Sequence, residues 1–161
     1  MAVLQGLSTL PTTWYSLTLM ADTDAGFEIF AVTADKGIRA WGPDRPSVFR
    51  QAALGLWSLM VDPATVGCGS VVPLTVEAGD HEALLVAWLN ELLYLYETKG
   101  FIGGECETQS LTETSLAAEV RGETVDSAHH VILSHVKAVT YHQLYLGPTA
   151  GGWEARVVVD V

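Results

Sequence analysis

Two segments of the chain carry apolar residues at helical spacing, which predicts two main helices. The first is predicted from Ser47, a favourable N-cap residue, to about Met60, and Asp62-Pro63 would end it. The second is predicted to begin at Asp80 and to end at Gly100, where glycine can adopt a left-handed backbone conformation. The predicted buried stripes are Phe49, Ala52, Ala53, Leu56 and Met60 in the first helix, and Leu85, Trp88, Leu89, Leu92 and Tyr96 in the second.

Most of the other apolar segments are short and rich in strand-forming residues, which predicts about seven strands. Pro73 places one of them at a sheet edge or a bend. Strands are predicted over residues 27–31, 38–41, 71–76, 101–102, 106–109, 115–120, 136–146 and 153–161, and a short helix over residues 123–130. Because strands and helices do not alternate regularly, we expect an α+β fold: a two-layer sandwich of mixed β-sheets with the two main helices packed on one sheet face.

The composition is that of a single packed domain, which we expect to cover residues 23–161. Hydrophobic residues make up 49% of the chain, enough for a sizeable core. Residues 1–22 are expected to form a poorly ordered N-terminal extension, and Met20 is a second plausible start. No Lys or Arg precedes the apolar part of this extension, so a secretory signal is not predicted. No apolar run reaches the ~18 residues that a membrane-spanning helix needs.

The two cysteines, Cys68 and Cys106, form no CxxC pair. So few thiols in a chain of this length favour a reducing compartment, and we expect a cytoplasmic protein. One disulfide between the two cysteines is left open by the sequence.

The chain is strongly acidic, with 8 basic and 19 acidic residues and a formal net charge of −11. Binding to nucleic acid through its phosphates needs clustered Lys and Arg, so this class of function is disfavoured. The charge favours a basic protein partner or a cation, or it serves solubility alone.

Two isolated acids in apolar strands, Asp35 and Asp160, are candidate metal ligands. Asp160 is followed by Val161, whose α-carboxylate would lie beside another acid, an unfavourable pair unless a positive group is present. Hard divalent cations bind oxygen ligands of this kind. The simpler interpretation is a solvated acid at each strand end, and spacing alone favours it.

Lys137 is a candidate for binding phosphate or an acidic group. It lies in the segment Val-Lys-Ala-Val-Thr-Tyr-His, which is otherwise largely apolar. The simpler interpretation is the outward residue of an alternating strand, or a charge that protects a sheet edge.

The sequence carries no familiar catalytic motif. Its five histidines lack zinc-binding spacing such as HExxH, and no GxSxG is present. One enzymatic alternative is a small metal-dependent hydrolase that uses Asp35, Asp160 and His142. It requires these three side chains to converge in a deep pocket around a metal-bound water.

Four segments, taken together and in order, resemble the archease family. They are Thr33-Ala-Asp-Lys-Gly-Ile-Arg-Ala-Trp-Gly42; Ala52-Ala-Leu-Gly-Leu-Trp57 with Leu59-Met60; Trp88-Leu-Asn-Glu-Leu-Leu-Tyr-Leu-Tyr-Glu97; and Val136-Lys-Ala-Val-Thr-Tyr-His142 followed by Trp153-Glu-Ala-Arg-Val-Val-Val-Asp-Val161. The likeness extends from about Phe27 to the last residue. Each segment alone is a weak signal, but the set is specific.

The resemblance implies a fold in which one SHS2-like module is inserted in another, and a non-enzymatic function. Archeases resemble protein cofactors of the RtcB-type RNA ligase, promoting its guanylylation and turnover in tRNA splicing and RNA repair. The family's divalent metal, taken to be Ca²⁺, would be held here by Asp35, Asp160 and Val161, and Lys137 would take part in activating the ligase. No direct nucleic-acid or membrane binding is implied. A chaperone-like modulator of RNA-modifying enzymes is the other function to which such proteins are likened.

The chain departs from the family pattern just before Asp35. The family usually reads Asp-His-Thr-Ala-Asp, whereas this chain has Ala31-Val32-Thr33-Ala34-Asp35. A histidine at this place could orient the metal-binding carboxylate, so its absence implies weaker metal binding. Lys36 follows Asp35, and its ammonium group could neutralise Asp35 and compete with a cation.

Overall fold

The computed structural model describes residues 24–161, which form seven strands and two helices. The predicted extension over residues 1–22 lies outside the described residues. In chain order the elements are β1 (Gly26–Val32), β2 (Asp35–Gly42), α1 (Arg45–Met60), β3 (Ser70–Glu77), α2 (His81–Lys99), β4 (Phe101–Leu111), β5 (Ser115–Thr124), β6 (Ala138–Thr149) and β7 (Gly152–Asp160). A short 3₁₀ turn, Pro63–Thr65, follows α1.

The strands form two separate sheets, one nested within the sequence of the other. The four-stranded sheet has the order β1-β2-β7-β6, and the three-stranded sheet has the order β3-β5-β4. The second sheet and α2 come from one continuous segment, residues 70–124, inserted between α1 and β6. The predicted α+β class is confirmed, with the difference that both sheets are antiparallel rather than mixed.

The N-cap of the first helix lies three residues earlier than the sequence predicted. Asp44, not Ser47, is the N-cap, and its carboxylate accepts hydrogen bonds from the main-chain N–H and the hydroxyl of Ser47 at 2.9 and 2.7 Å. Pro46 in the first turn has no N–H to satisfy, which suits that position. Asp44 directly follows Gly42-Pro43, a typical turn sequence, so the turn before α1 ends on the residue that caps the helix.

The second helix has the predicted ends. Asp80 caps it through a 2.8 Å bond from the main-chain N–H of Ala83, and Gly100 ends it with φ +64°. That backbone angle favours glycine over any residue with a Cβ atom. The two helices meet in the core, where the indole N–H of the buried Trp88 donates to the carbonyl oxygen of Phe49 at 3.1 Å.

Several element boundaries differ from the prediction. Residues 123–130 do not form a helix: β5 continues to Thr124, and residues 127–129 form a turn. The strands predicted over 101–102 and 106–109 are one strand, β4, which absorbs the intervening glycines through a bulge between Gly103 and Glu105. No helix within residues 24–161 is long and apolar enough to cross a membrane.

Candidate functional site

Asp35 and Asp160 face each other at the ends of two neighbouring strands. Asp35 is the first residue of β2, and Asp160 is the last residue of β7. These strands are antiparallel and Lys36 pairs with Val159, so the next step of the register places Asp35 opposite Asp160. Opposed residues of an antiparallel pair have Cα atoms about 4.5–5.5 Å apart. Folding therefore brings together two carboxylates that are remote in the sequence.

Both carboxylates belong to the sheet face that the helices leave open. Asp35 lies on the same face of β2 as the half-exposed Arg39. Ile38 and Ala40 lie on the other face, where they are buried toward α1. Along β7, Asp160 alternates in step with the exposed Arg156. Arg39 and Arg156 are themselves a cross-strand pair, which fixes the shared face.

Lys137 and Val161 complete the end of the sheet on the other side of β7. Ala138 pairs with Asp160, and the main-chain N–H of Lys137 donates to the carbonyl oxygen of Asp160 at 2.7 Å. Lys137 is exposed, and Val161 is half-buried. The four candidate residues from the sequence, Asp35, Lys137, Asp160 and Val161, thus lie at one end of one sheet, and we call this group the sheet-end site.

Within residues 24–161, neither side-chain carboxylate of the sheet-end site forms an ion pair with a basic group. The ion pairs within residues 24–161 involve other acids. Lys36, whose ammonium group could have neutralised Asp35, lies on the opposite face of β2 and forms no ion pair with Asp35. Like charges placed directly opposite each other on a sheet repel, so the pair has a reason to bind a cation.

The donor set of the sheet-end site fits a hard cation, but only loosely. Two carboxylates and the main-chain oxygen of Val161 are the oxygen ligands that Ca²⁺ and Mg²⁺ prefer, with water completing the shell. Within the described residues, no third His, Cys, Asp or Glu joins them to make a metal-holding group of side chains. A cation held here would therefore remain accessible to ligands from another molecule.

The hairpin before Asp35 shows what the missing family histidine would touch. Val32 pairs with Asp35 across the turn made by Thr33 and Ala34, and Ala34 has φ +64°. A histidine in place of Val32 would stand beside the carboxylate of Asp35. The site in this chain lacks that neighbour, and the weaker metal binding expected from the sequence stays a prediction.

The same sheet face carries a paired cluster of charges farther from the site. Arg39 contacts Glu28 at 3.2 Å and Glu154 at 3.3 Å, and its guanidinium stacks on the Trp41 ring at 4.6 Å. Burial opposes ionisation of Glu154, but hydrogen bonds from Arg156 and Arg39 outweigh it and hold the pKa of Glu154 below its ordinary value. Because these guanidinium groups are already paired with acids, this face is not a phosphate-binding patch.

The edge strand beside the site is held by a helix residue whose role the sequence did not reveal. The side-chain NH₂ of Asn90 donates to the carbonyl oxygen of Val139 at 3.3 Å, and its side-chain oxygen accepts from the N–H of Val139 at 3.1 Å. The amide thus occupies the place of a neighbouring strand. Its position in the middle of a helix, one turn from the apolar Val86, Ala87 and Leu93, was the available signal.

Comparison with known proteins identifies the family. The model of the Archease protein family (MTH1598/TM1083) matches residues 27–161. This chain belongs to the archease family. A protein archease from Methanosarcina barkeri is 34% identical over 146 residues, covering 88% of this chain and 100% of that protein. Another, from Thermococcus gammatolerans, is 35% identical over 139 residues, covering 84% of this chain and 98% of that protein.

An archease-family structure shares the fold. The solution structure of protein 1598 from Methanobacterium thermoautotrophicum matches with a TM-score of 0.72 at 32% sequence identity. It covers 84% of this chain and 99% of that chain. The architecture described above is therefore the archease architecture, and the resemblance found in the sequence is confirmed.

The residues proposed for a hydrolase do not assemble in this archease-family chain. His142 lies exposed in the irregular part of β6, where four residues between Thr140 and Tyr145 oppose a single residue of β7. Within the described residues it does not join Asp35 and Asp160 in a metal-holding group. The hydrolase alternative therefore lacks the convergence that it requires.

A second polar cluster was not foreseen from the sequence. Arg50 on α1 binds Glu105 on β4 through two parallel bonds of 2.7 and 2.6 Å, at the side of an open groove of about 550 Å³. Burial disfavours the charged form of Glu105, but the bonds from Arg50 and from the N–H of Cys106 hold its pKa below the ordinary value. These residues come from distant segments, so no local pattern pointed to them.

Proposed function

We propose that this chain is a non-enzymatic activator of an RtcB-type RNA ligase, promoting its guanylylation and turnover in tRNA splicing and RNA repair. Membership of the archease family supports the proposal. The observation that carries it is the register that sets Asp35 opposite Asp160, with the N–H of Lys137 bonded to the main chain of Asp160. Two half-buried acids at a strand end and one exposed lysine suit contact with a partner's active site better than chemistry on a substrate enclosed within this chain.

Activation of guanylylation is a positioning task. The nucleotide polyphosphate and its metal ions must be brought in line with the attacking group, and little covalent chemistry is left to a helper protein. A divalent cation, which the family resemblance gives as Ca²⁺, would be held by Asp35, Asp160 and the main-chain oxygen of Val161. When bound, it would supply an open coordination position for an anionic oxygen. Lys137 would present its ammonium group to the same phosphate-rich pocket.

The charge of the chain agrees with such a partner. With a formal net charge of −11, the protein is attracted to the basic surface that an RNA-joining enzyme needs for its substrate. The same charge disfavours direct competition for the RNA.

The test is guanylylation of a purified RtcB-type ligase with and without this protein. We expect the wild-type chain to accelerate formation of the ligase–guanylate adduct and to sustain more than one turnover. Asp160→Ala and Lys137→Ala should each lose most of the acceleration. Glu113→Ala and Lys99→Ala are matched controls, because both residues are exposed, Glu113 in the turn between β4 and β5 and Lys99 at the end of α2.

The proposal is abandoned if the wild-type chain gives no acceleration, or if Asp160→Ala accelerates as fully as Glu113→Ala. A pull-down separates the chaperone-like alternative, because a broad set of clients is expected there instead of one ligase.

A further inference from the structure

Three consecutive apolar residues are exposed in the connection between β5 and β6. Val131, Ile132 and Leu133 are 50%, 46% and 53% exposed. Single exposed apolar residues are common on proteins, but a continuous group of them commonly marks a contact surface. We call residues 131–133 the apolar segment.

The main chain of the apolar segment is fixed to the end of α1. The carbonyl oxygen of Val131 accepts from the N–H of Asp62 at 2.9 Å, and the N–H of Leu133 donates to the carbonyl oxygen of Met60 at 2.9 Å. Ile132 and Val61 form an antiparallel bridge between these two bonds. The apolar side chains are therefore displayed on an ordered backbone, which lowers the entropic cost of binding through them.

Both flanks of the apolar segment are also anchored. On one side, the Ser134 hydroxyl donates to the carbonyl oxygen of Leu59. On the other, the buried His130 accepts from the N–H of Asp126 at 2.9 Å through Nδ1 and contacts Glu123 at 2.8 Å through Nε2. Because the apolar segment is held at both ends and along its length, it is an ordered part of the surface.

The apolar segment lies near the sheet-end site. Lys137, a member of the sheet-end site, follows the apolar segment closely along the chain. Only three residues lie between Leu133 and Lys137, so four residue steps limit their Cα atoms to a separation of at most ~14 Å. One protein partner can therefore contact the apolar segment and the sheet-end site together.

We propose that the apolar segment docks into an apolar pocket on the partner protein whose active site contacts the sheet-end site. Basic groups would border this pocket. The inference rests on the proposed function, and it assigns affinity to residues 131–133 and activation to the sheet-end site. The acidic surroundings favour a basic partner over a second copy of this chain. The two surfaces are formed by residues 35–37, 59–66, 123–137 and 160–161. These segments contain five acids, Asp35, Asp62, Glu123, Asp126 and Asp160. Their only Lys or Arg residues are Lys36 and Lys137.

The test compares Val131→Asp with Val71→Asp in binding to the purified RtcB-type ligase. Val71 is an equally exposed valine, at 50%, but it lies in the three-stranded sheet opposite Arg121. We expect Val131→Asp to weaken ligase binding about tenfold or more, since a charge would enter an apolar pocket. The guanylylation rate at saturating protein should be unchanged, whereas Asp160→Ala should keep the affinity and lose the rate. Leu133→Ser is the second variant, and circular dichroism checks that each variant is folded.

Three outcomes would overturn the inference. If Val131→Asp and Leu133→Ser bind as Val71→Asp does while the wild type accelerates the ligase, the docking role is wrong and the proposed function stands. If the wild type neither binds nor accelerates the ligase, both fail. If sedimentation shows a wild-type dimer that Val131→Asp dissociates, the apolar segment is an interface between copies of this chain.

Discussion

Asn90 holds the main chain of Val139 with both halves of its side-chain amide, at 3.1 and 3.3 Å. Val139 is the second residue of β6, the edge strand of the four-stranded sheet, and it follows Lys137 by two positions. A helix residue therefore takes the place of a missing strand at the point where the sheet-end site is built. The orientation of the sheet-end site depends on α2 as well as on the sheet.

Replacing Asn90 by Ala should destabilise the protein measurably. The substitution leaves the N–H and the carbonyl oxygen of the buried Val139 without partners, at a cost of about 2 kcal/mol in the free energy of unfolding. Denaturant unfolding measures this directly. Asn90→Asp keeps the acceptor and loses the donor, so we expect an intermediate loss.

The neighbouring Glu91 is the control for the Asn90 variants. It lies on the same helix, half-buried, and its side chain forms no hydrogen bond within the described residues. Glu91→Ala should change the free energy of unfolding by no more than about 0.5 kcal/mol. Equal losses in Asn90→Ala and Glu91→Ala would mean that the amide does not hold β6.

The helices were predictable because their apolar spacing and end signals are local. Gly100 ended α2 as expected, since its left-handed backbone is a property of that residue and its neighbours. The same reasoning misplaced the start of α1 because two capping residues, Asp44 and Ser47, stand three apart and bond to each other. It also placed a helix over residues 123–130, where strand pairing with β4 and the His130 contacts override local preference.

The sequence pattern singled out Asp35, Asp160 and Lys137 as separate candidates, and the family resemblance was what favoured joining them in one site. Asp35 and Asp160 are joined by the pairing of β2 with β7, and that register is set by the packing of the whole sheet on α1. No spacing rule connects residues so far apart. The pairs Arg50–Glu105 and Asn90–Val139 were missed for the same reason, because each joins two segments whose relation exists only in the folded chain.

Removing one carboxylate of the opposed pair should stabilise the protein when no divalent cation is present. Asp160→Asn removes the repulsion between two opposed acids that form no ion pair in the part of the chain that the structure describes. We expect a gain of about 0.5 kcal/mol in the free energy of unfolding at low salt, and a smaller gain at high salt. Glu113→Gln, in the exposed turn between β4 and β5, is the control and should change little. A loss of stability in Asp160→Asn would contradict the unpaired arrangement.

Adding a divalent cation should make the wild-type protein more stable than Asp160→Asn, the reverse of their order without the cation. Millimolar Ca²⁺ would bind the wild-type site and raise its melting temperature, because a ligand that binds only the folded state stabilises it. Asp160→Asn should show no such increase. Mg²⁺ at the same concentration is the comparison, and it should act more weakly because it demands a more regular ligand geometry. Equal shifts in both proteins would place any bound cation elsewhere.

The Arg50–Glu105 pair should make stability depend on acid pH. The pKa of Glu105 in the folded protein lies below its ordinary value of 4.5, so the pair stabilises the folded state above that pH. This contribution is lost as the pH falls through the folded-state value. Both side chains are 40% exposed, so solvent limits the contribution to about 1 kcal/mol.

Glu105→Gln tests this pH dependence. Its free energy of unfolding should lie below that of the wild type at neutral pH, and the two should converge well below pH 4.5. Glu107→Gln is the matched control on the same strand, since Glu107 is more exposed and reaches Arg121 only at 3.6 Å. A difference between Glu105→Gln and the wild type that is constant with pH would show that the charge of Glu105 is not what stabilises the fold.

The two cysteines should react very differently with an alkylating reagent. Both are free thiols, so the disulfide that the sequence left open does not form. Burial, with a smaller contribution from the charge of Glu105, raises the pKa of the Cys106 thiol to about 12, whereas Cys68 is exposed. Because the thiolate is the reactive form, mass spectrometry of the native protein should find Cys68 modified and Cys106 intact. Native Cys68→Ser should take up no label, and denaturant should expose Cys106 in both proteins. Rapid labelling of Cys106 in native Cys68→Ser would contradict this prediction. It would mean that β4 opens readily, and that the core beside the Arg50–Glu105 groove is far less stable than its burial indicates.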